Sequence, residues 1–152
     1  MYSPAWPVDR TRLDGIDVSG VKLSQNPNVW VSDLLWAALN CQHPTLSAEW
    51  VIAGDFNASE TFDQWRGGPR GNREYLDRMA SVGLVECLRH AQGRLTPTFR
   101  NPSGGAIKHQ MDHLFVTAGM AARLIRCETG AQATVFDGRM SDHLPIVADF
   151  SS

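Results

Sequence analysis

Five polar residues sit where an apolar strand begins or ends, and their types suit acid–base work and cation binding. In Val51-Ile-Ala-Gly-Asp-Phe-Asn57, Asp55 and Asn57 are two positions apart at the C-terminal end of a β-branched run. In an extended chain, residues i and i+2 point to one side, so both side chains would face one spot past the strand end. Gly54 allows another backbone to come close there. In Gln110-Met-Asp-His-Leu-Phe-Val116, Asp112 opens a second apolar run, where an ionised carboxylate needs partners to offset its desolvation. In Met140-Ser-Asp-His-Leu-Pro-Ile-Val147, Asp142 and His143 precede a final run whose entry is limited by Pro145. Carboxylates and an amide are oxygen ligands of the kind a hard cation takes. An imidazole beside a carboxylate holds its proton more tightly and can exchange it near neutral pH. Each motif alone also has a plainer reading. Gly-Asp and Asn form turns, Asp112 can be a hydrogen-bonded strand-entry residue, and Asp-His pairs occur in ordinary loops.

The elements that would position these residues are short. Val31, Leu34, Leu35, Ala38 and Leu39 follow helical spacing and predict a helix with one buried face, capped by Asn28. Residues 49–53 read as a buried strand, and a Gly/Pro/Arg loop follows at 66–71. Asn72 starts a second helix that turns Leu76, Met79 and Ala80 inward and stops at Gly83. Segments 110–117, 122–128 and 145–150 read as strands, and residues 1–28 as a short strand remnant followed by a long loop. Several strands and two helices without strict βαβ alternation give an α/β chain of the α+β kind.

The 152 residues suit a single domain, and 43% apolar against 20% charged residues exclude a disordered or fibrous chain. A net charge of −2 provides no broad basic field, so a nucleic-acid substrate would need a local positive patch. Cys41, Cys87 and Cys127 are too few and too far apart for a disulfide framework or a zinc site and read as buried thiols. No apolar stretch approaches the roughly 18 residues of a membrane span.

Taken in order, Gly54-Asp-Phe-Asn57, Met111-Asp-His-Leu-Phe-Val116 and Ser141-Asp-His-Leu-Pro-Ile146 resemble three signatures of the endonuclease/exonuclease/phosphatase superfamily, which has the deoxyribonuclease-I-like fold. The resemblance is best over residues 50–150. Tyr2-Ser-Pro-Ala-Trp6 also looks like the strand-to-loop region that precedes this half in relatives. It implies one domain over 1–152, the C-terminal half of a four-layer α/β/β/α sandwich, with a mixed, mostly antiparallel sheet and helices on one face. It also implies a nuclease, phosphodiesterase or phosphatase that hydrolyses a phosphate ester with Mg²⁺ or Mn²⁺. Asp55 resembles the carboxylate that orients or deprotonates the attacking water, and Asn57 its companion on the nucleophile or the phosphate. Asp112 resembles the acid that hydrogen-bonds the catalytic histidine, and His143 that histidine. Asp142 resembles a carboxylate near the metal. The implied metal ligands are Asp55, Asn57 and Asp142; the implied substrate contacts are Asn57, His143 and His113.

Family members are larger than this chain, and the part without a counterpart is their first half. The Asn at the end of its first strand and the Glu that is the principal metal ligand have no match here. The chain is therefore expected to be a fragment, the product of a misplaced start, or a half that self-associates through an uncovered sheet face. A catalytically inactive remnant acting as a binding or assembly module is the alternative to an enzyme. His113, where relatives carry Tyr or Arg, is either a second substrate-facing imidazole or a packed strand residue. The stretch Trp65-Arg-Gly-Gly-Pro-Arg-Gly-Asn-Arg73 is either a phosphate-binding loop or a solvated one.

Overall fold

A computed structural model describes residues 1–41, 48–65, 70–103 and 106–152. Strands β1 (Val51–Asp55), β2 (Leu84–Glu86) and β3 (Asp112–Thr117) form an antiparallel sheet in the order β1-β3-β2. Strands β4 (Leu124–Thr129) and β5 (Ile146–Phe150) pair antiparallel as a second sheet. Helices α1 (Val31–Cys41) and α2 (Asn72–Ser81) are accompanied by two short ones, α3 (Cys87–Gln92) and α4 (Ala118–Ala121). The mixed helix and antiparallel sheet content is α+β, as expected. Most of the 66–71 loop, residues 66–69, lies outside the described residues.

The alternation of side chains along β3 assigns the layers. His113 and Phe115 face the helices, where Phe115 packs with Phe56, Tyr75, Met79 and Leu84 in one core. Leu114 and Val116 face the other way, onto Cys127, Ile146, Ala148 and Phe150 of the second sheet. Burying each large apolar side chain in these cores stabilises the fold by roughly 1.5–3 kcal/mol. The face expected to be bare is thus partly covered by β4 and β5. Among the described residues β1 leaves it open: Val51, opposite Val116 in the ladder, is 56% exposed, and Ala53 is also exposed.

Local details depart from the periodicity in two helices. Asn28 does not cap α1; its Oδ1 accepts from Arg10 instead. Asp33 closes that end by accepting the Trp30 N–H at 2.8 Å, and this turns the helix so that Asp33, with Ser32 and Leu39, is buried while Leu34 and Ala38 face out. Burial pushes the Asp33 carboxyl up to about 6. In α2, Tyr75 and Met79 are the buried residues and Ala80 is exposed. Gly83, at φ +85°, follows the helix end and donates to Ala80 O. Cys87 and Cys127 are buried, but Cys41, at the end of α1, is exposed.

Candidate active site

The antiparallel register places Asp55, the last residue of β1, directly opposite Asp112, the first of β3. Both share the parity of Val51, Ala53, Leu114 and Val116, so they stand at one end of the layer between the two sheets. Past Asp55 the chain bends. Phe56 N–H donates to Met111 O at 3.0 Å, and Asn57 takes a left-handed φ of 48°. That bend turns the Asn57 side chain back onto Asp55. Its backbone N–H donates to Asp55 Oδ1 at 2.8 Å and its Nδ2 to Asp55 Oδ2 at 2.9 Å. The second amide hydrogen goes to Ser3 O at 2.8 Å, which leaves Asn57 Oδ1 as an acceptor facing no donor among the described residues.

The first residues of the chain make this possible by lying parallel to the outer edge of β1. Tyr2 bridges Asp55, Ser3 N–H donates to Asp55 O at 2.8 Å, and the Met1 amine reaches Ala53 O. Gly54 is required at that contact. It has φ +143°, and a Cβ there would collide with the Met1 carbonyl.

The imidazole arrives from the other end of the sequence. Thr98–Arg100 runs between two partners, with Phe99 bridging His109 on one side and His143 on the other. Leu144 N–H donates to Thr98 O at 2.8 Å and Arg100 N–H to Asp142 O at 2.9 Å. His143 Nδ1 thereby comes 2.8 Å from Asp112 Oδ2, with the ring packed on Phe99 at 5.0 Å. Thr98, fully buried, donates its hydroxyl to the same Asp112 oxygen at 2.7 Å and accepts the N–H groups of Met111 and Asp112, each at 3.1 Å. With both lone pairs occupied, the Thr98 proton has one direction available, and it fixes the carboxylate.

Asp55, Asp112 and His143 offer polar atoms that all lie within 4.8 Å of one another. Electrostatics couple them. The hydrogen bond to Asp112 raises the His143 pKa, assisted by the charges of Asp112, Asp55 and Asp142. Desolvation raises that of Asp55, with the facing Asp112 charge adding to it and the Asn57 N–H and His143 opposing it. Among the described residues, the two carboxylates meeting across one ladder step share one adjacent imidazole, so a protonated His143 neutralises only one of them.

Four of the sequence-predicted residues, Asp55, Asn57, Asp112 and His143, therefore converge. Asp142 stands on the exposed rim, near enough for its charge to act on His143. His113 does not join them. It has the opposite parity to Asp112, is 3% exposed, and donates from Nε2 to Ala58 O at 2.8 Å, with Nδ1 facing Gln110. The substrate-facing reading of His113 is thus replaced by the packed-strand one. Sequence reasoning missed Thr98 and the Ser3 carbonyl. Thr98 lies in Leu95-Thr-Pro-Thr-Phe-Arg100, which has no periodicity to mark it, and a backbone carbonyl has no residue type to read.

A model of the Endonuclease/Exonuclease/phosphatase family matches residues 2–143. The chain belongs to that family. No curated protein sequence matches it. Among solved structures, it is similar to the 3′ phosphatase NExo from Neisseria bound to product DNA hairpin, with 20% identity and a TM-score of 0.64 over 79% of this chain and 53% of that one. It is likewise similar to an AP endonuclease from Archaeoglobus fulgidus, with 20% identity and a TM-score of 0.65 over 79% of this chain and 54% of that one. A third, the endonuclease domain of TRAS1, a telomere-specific non-LTR retrotransposon, gives 16% identity and a TM-score of 0.56 over 79% and 52%. At these identities the likeness is one of fold. The chain spans about half the length of these Endonuclease/Exonuclease/phosphatase structures.

Proposed function

We propose that this chain carries the acid–base half of a metal-dependent phosphoester hydrolase, with nucleic acid as its substrate. The observation that carries the reading is the convergence of Asp55, Asp112 and His143 from three distant stretches of sequence to within 4.8 Å. The family match and the fold shared with an AP endonuclease and with a 3′ phosphatase bound to product DNA hairpin support the reaction class and the substrate.

The donor set suits a hard divalent cation, Mg²⁺ or Mn²⁺. Each Asp55 oxygen accepts one bond from Asn57 and keeps a lone pair, and Asn57 Oδ1 is left over by the two bonds of its amide nitrogen. Asp55 and Asn57, with Asp142 from the rim, would hold the ion, which when bound screens the phosphate charge from an incoming hydroxide. The protein's own groups do the rest. Asn57 orients Asp55, whose carboxylate accepts a proton from, or aligns, the attacking water. Asp112 holds the His143 proton at Nδ1, which leaves Nε2 to bond the phosphate oxygens or exchange a proton with them. Thr98 keeps Asp112 from turning away.

The open face of β1, at Val51 and Ala53, is where a second polypeptide would cover the sheet, another copy of this chain included. The test is turnover of a phosphodiester oligonucleotide with Mg²⁺, with EDTA, and with Asp55→Ala or His143→Ala. Turnover should require the cation and fall about 10²-fold or more in each variant. Absent turnover, or turnover unchanged in both variants, would favour the inactive binding module instead.

A further inference from the structure

One aromatic cluster is not used by the hydrolytic chemistry. His109 lies on the ring of Phe62 with centroids 4.4 Å apart and planes 35° from parallel. Trp65 packs against both rings, 6.1 Å from His109 and 6.2 Å from Phe62, tilted by 32° and 34°. Phe62 is buried, but Trp65 is 59% exposed, so the cluster presents one ring to solvent. Thr61 Oγ1 pins His109 Nδ1 at 2.7 Å, and desolvation together with the neighbouring Lys108 charge keeps the imidazole neutral to lower pH than usual.

The cluster opens beside the hydrolytic centre. Phe99 bridges His109 on one side and His143 on the other, and residues directly paired in a ladder project to the same face. The order across that face is His143, Phe99, His109, then Phe62 and Trp65. Two strand spacings, roughly 10 Å, separate the backbones of the two histidines. That is the reach from a scissile phosphate to the base of an adjoining nucleotide.

We infer that Trp65 and His109 form a stacking subsite for a nucleobase next to the scissile phosphate, which makes unpaired, base-bearing nucleic acid the preferred substrate. Stacking needs an exposed π-face, and a base in duplex has none to offer. The charge agrees. A protein of net charge −2 lacks the broad basic surface that duplex binding depends on, whereas stacking supports single-strand binding with few cations. Lys108, exposed beside His109, is placed to meet one backbone phosphate.

The inference rests on the hydrolase reading for the position of the phosphate, and the test separates the two. Wild-type protein, Trp65→Ala and Trp65→Phe are given a single-stranded oligonucleotide and a strand of equal length whose sugars carry no bases. Binding is measured by anisotropy in EDTA and hydrolysis in Mg²⁺. The readout is the ratio between the two strands, which cancels any loss of folded protein. Wild type should favour the base-bearing strand by about 5- to 150-fold. Trp65→Ala should bring the ratio close to one, and Trp65→Phe should retain most of it. Equal binding of both strands by wild type, a ratio untouched by Trp65→Ala, or tighter binding of duplex than of single strand would overturn the subsite. A base preference in EDTA without hydrolysis of either strand would sustain the subsite and sink the hydrolase reading.

Discussion

Replacing Asp112 by asparagine isolates one charge at the centre of the site. Asp112 Oδ2 alone receives both the Thr98 hydroxyl at 2.7 Å and His143 Nδ1 at 2.8 Å. Because Thr98 already accepts two backbone N–H groups, its proton must point at the side chain of residue 112, so the introduced amide is forced to present its oxygen there. Both hydrogen bonds survive and only the negative charge goes. A hydrogen bond to a charged group is worth about 1.5–3 kcal/mol and a neutral one about 0.5–1.5, so the change costs on the order of 1 kcal/mol. Without that charge the His143 pKa should drop toward the ordinary histidine value. Asp55 and Asp142 keep it from dropping further.

The sign follows from His143 being raised in the folded chain. Its contribution to stability is fully present below the ordinary histidine value and is lost as pH rises through the folded one. Asp112→Asn should therefore lower the unfolding free energy by about 1 kcal/mol near pH 6 and by much less near pH 9. Histidine Cε1–H titration by NMR gives the pKa, and urea unfolding at both pH values gives the energy. An unchanged titration midpoint would show that Asp112 does not hold the His143 proton, and the acid–base assignment would fail with it.

Three other perturbations separate structure from activity. Asp55→Asn relieves the repulsion between two facing carboxylates but turns its amide N–H against an Asn57 donor, so thermal unfolding should fall modestly while hydrolysis disappears; wild type but not the variant should gain stability when Mg²⁺ is added. Thr98→Val leaves the buried N–H groups of Met111 and Asp112 unpaired and should cost about 2–4 kcal/mol in denaturant titration, with Thr98→Ser restoring both stability and kcat. Gly54→Ala demands a strained φ and displaces Met1, so it should cost about 1–3 kcal/mol and accelerate hydrogen exchange at the Ser3 amide, whose release frees Asn57.

Legibility followed distance along the chain. The β-branched runs before Asp55 and after Asp112 marked their strands because alternation and apolarity are local properties. The two-residue spacing of Asp55 and Asn57 predicted that they meet, and they do, although a left-handed Asn57 rather than a continued strand brings them together. The stripe in α1 placed Leu35 and Leu39 inward, where they are, but not Leu34 and Ala38, which face out because Asp33 is buried to satisfy the helix end. Nothing local ranked His113 against Asp112, two adjacent polar residues in one strand.

The sequence by itself determined the kind of elements, the family resemblance and which residue types could act as acids, bases and oxygen ligands. The elements and residue types are consequences of composition and spacing within a dozen residues, and the resemblance rests on three motifs taken in order from Gly54 to Ile146. The tertiary structure decided the partners: Asp55 against Asp112 through strand register, His143 on Asp112 through the Thr98 crossover, Asn57 on the carbonyl of Ser3, and His113 turned away to the helices. Each of those pairings joins residues 31 or more positions apart, or depends on which face of a strand is covered. A hydrogen bond acts over roughly 3 Å and carries no signature in the intervening chain, so only the folded arrangement can specify it.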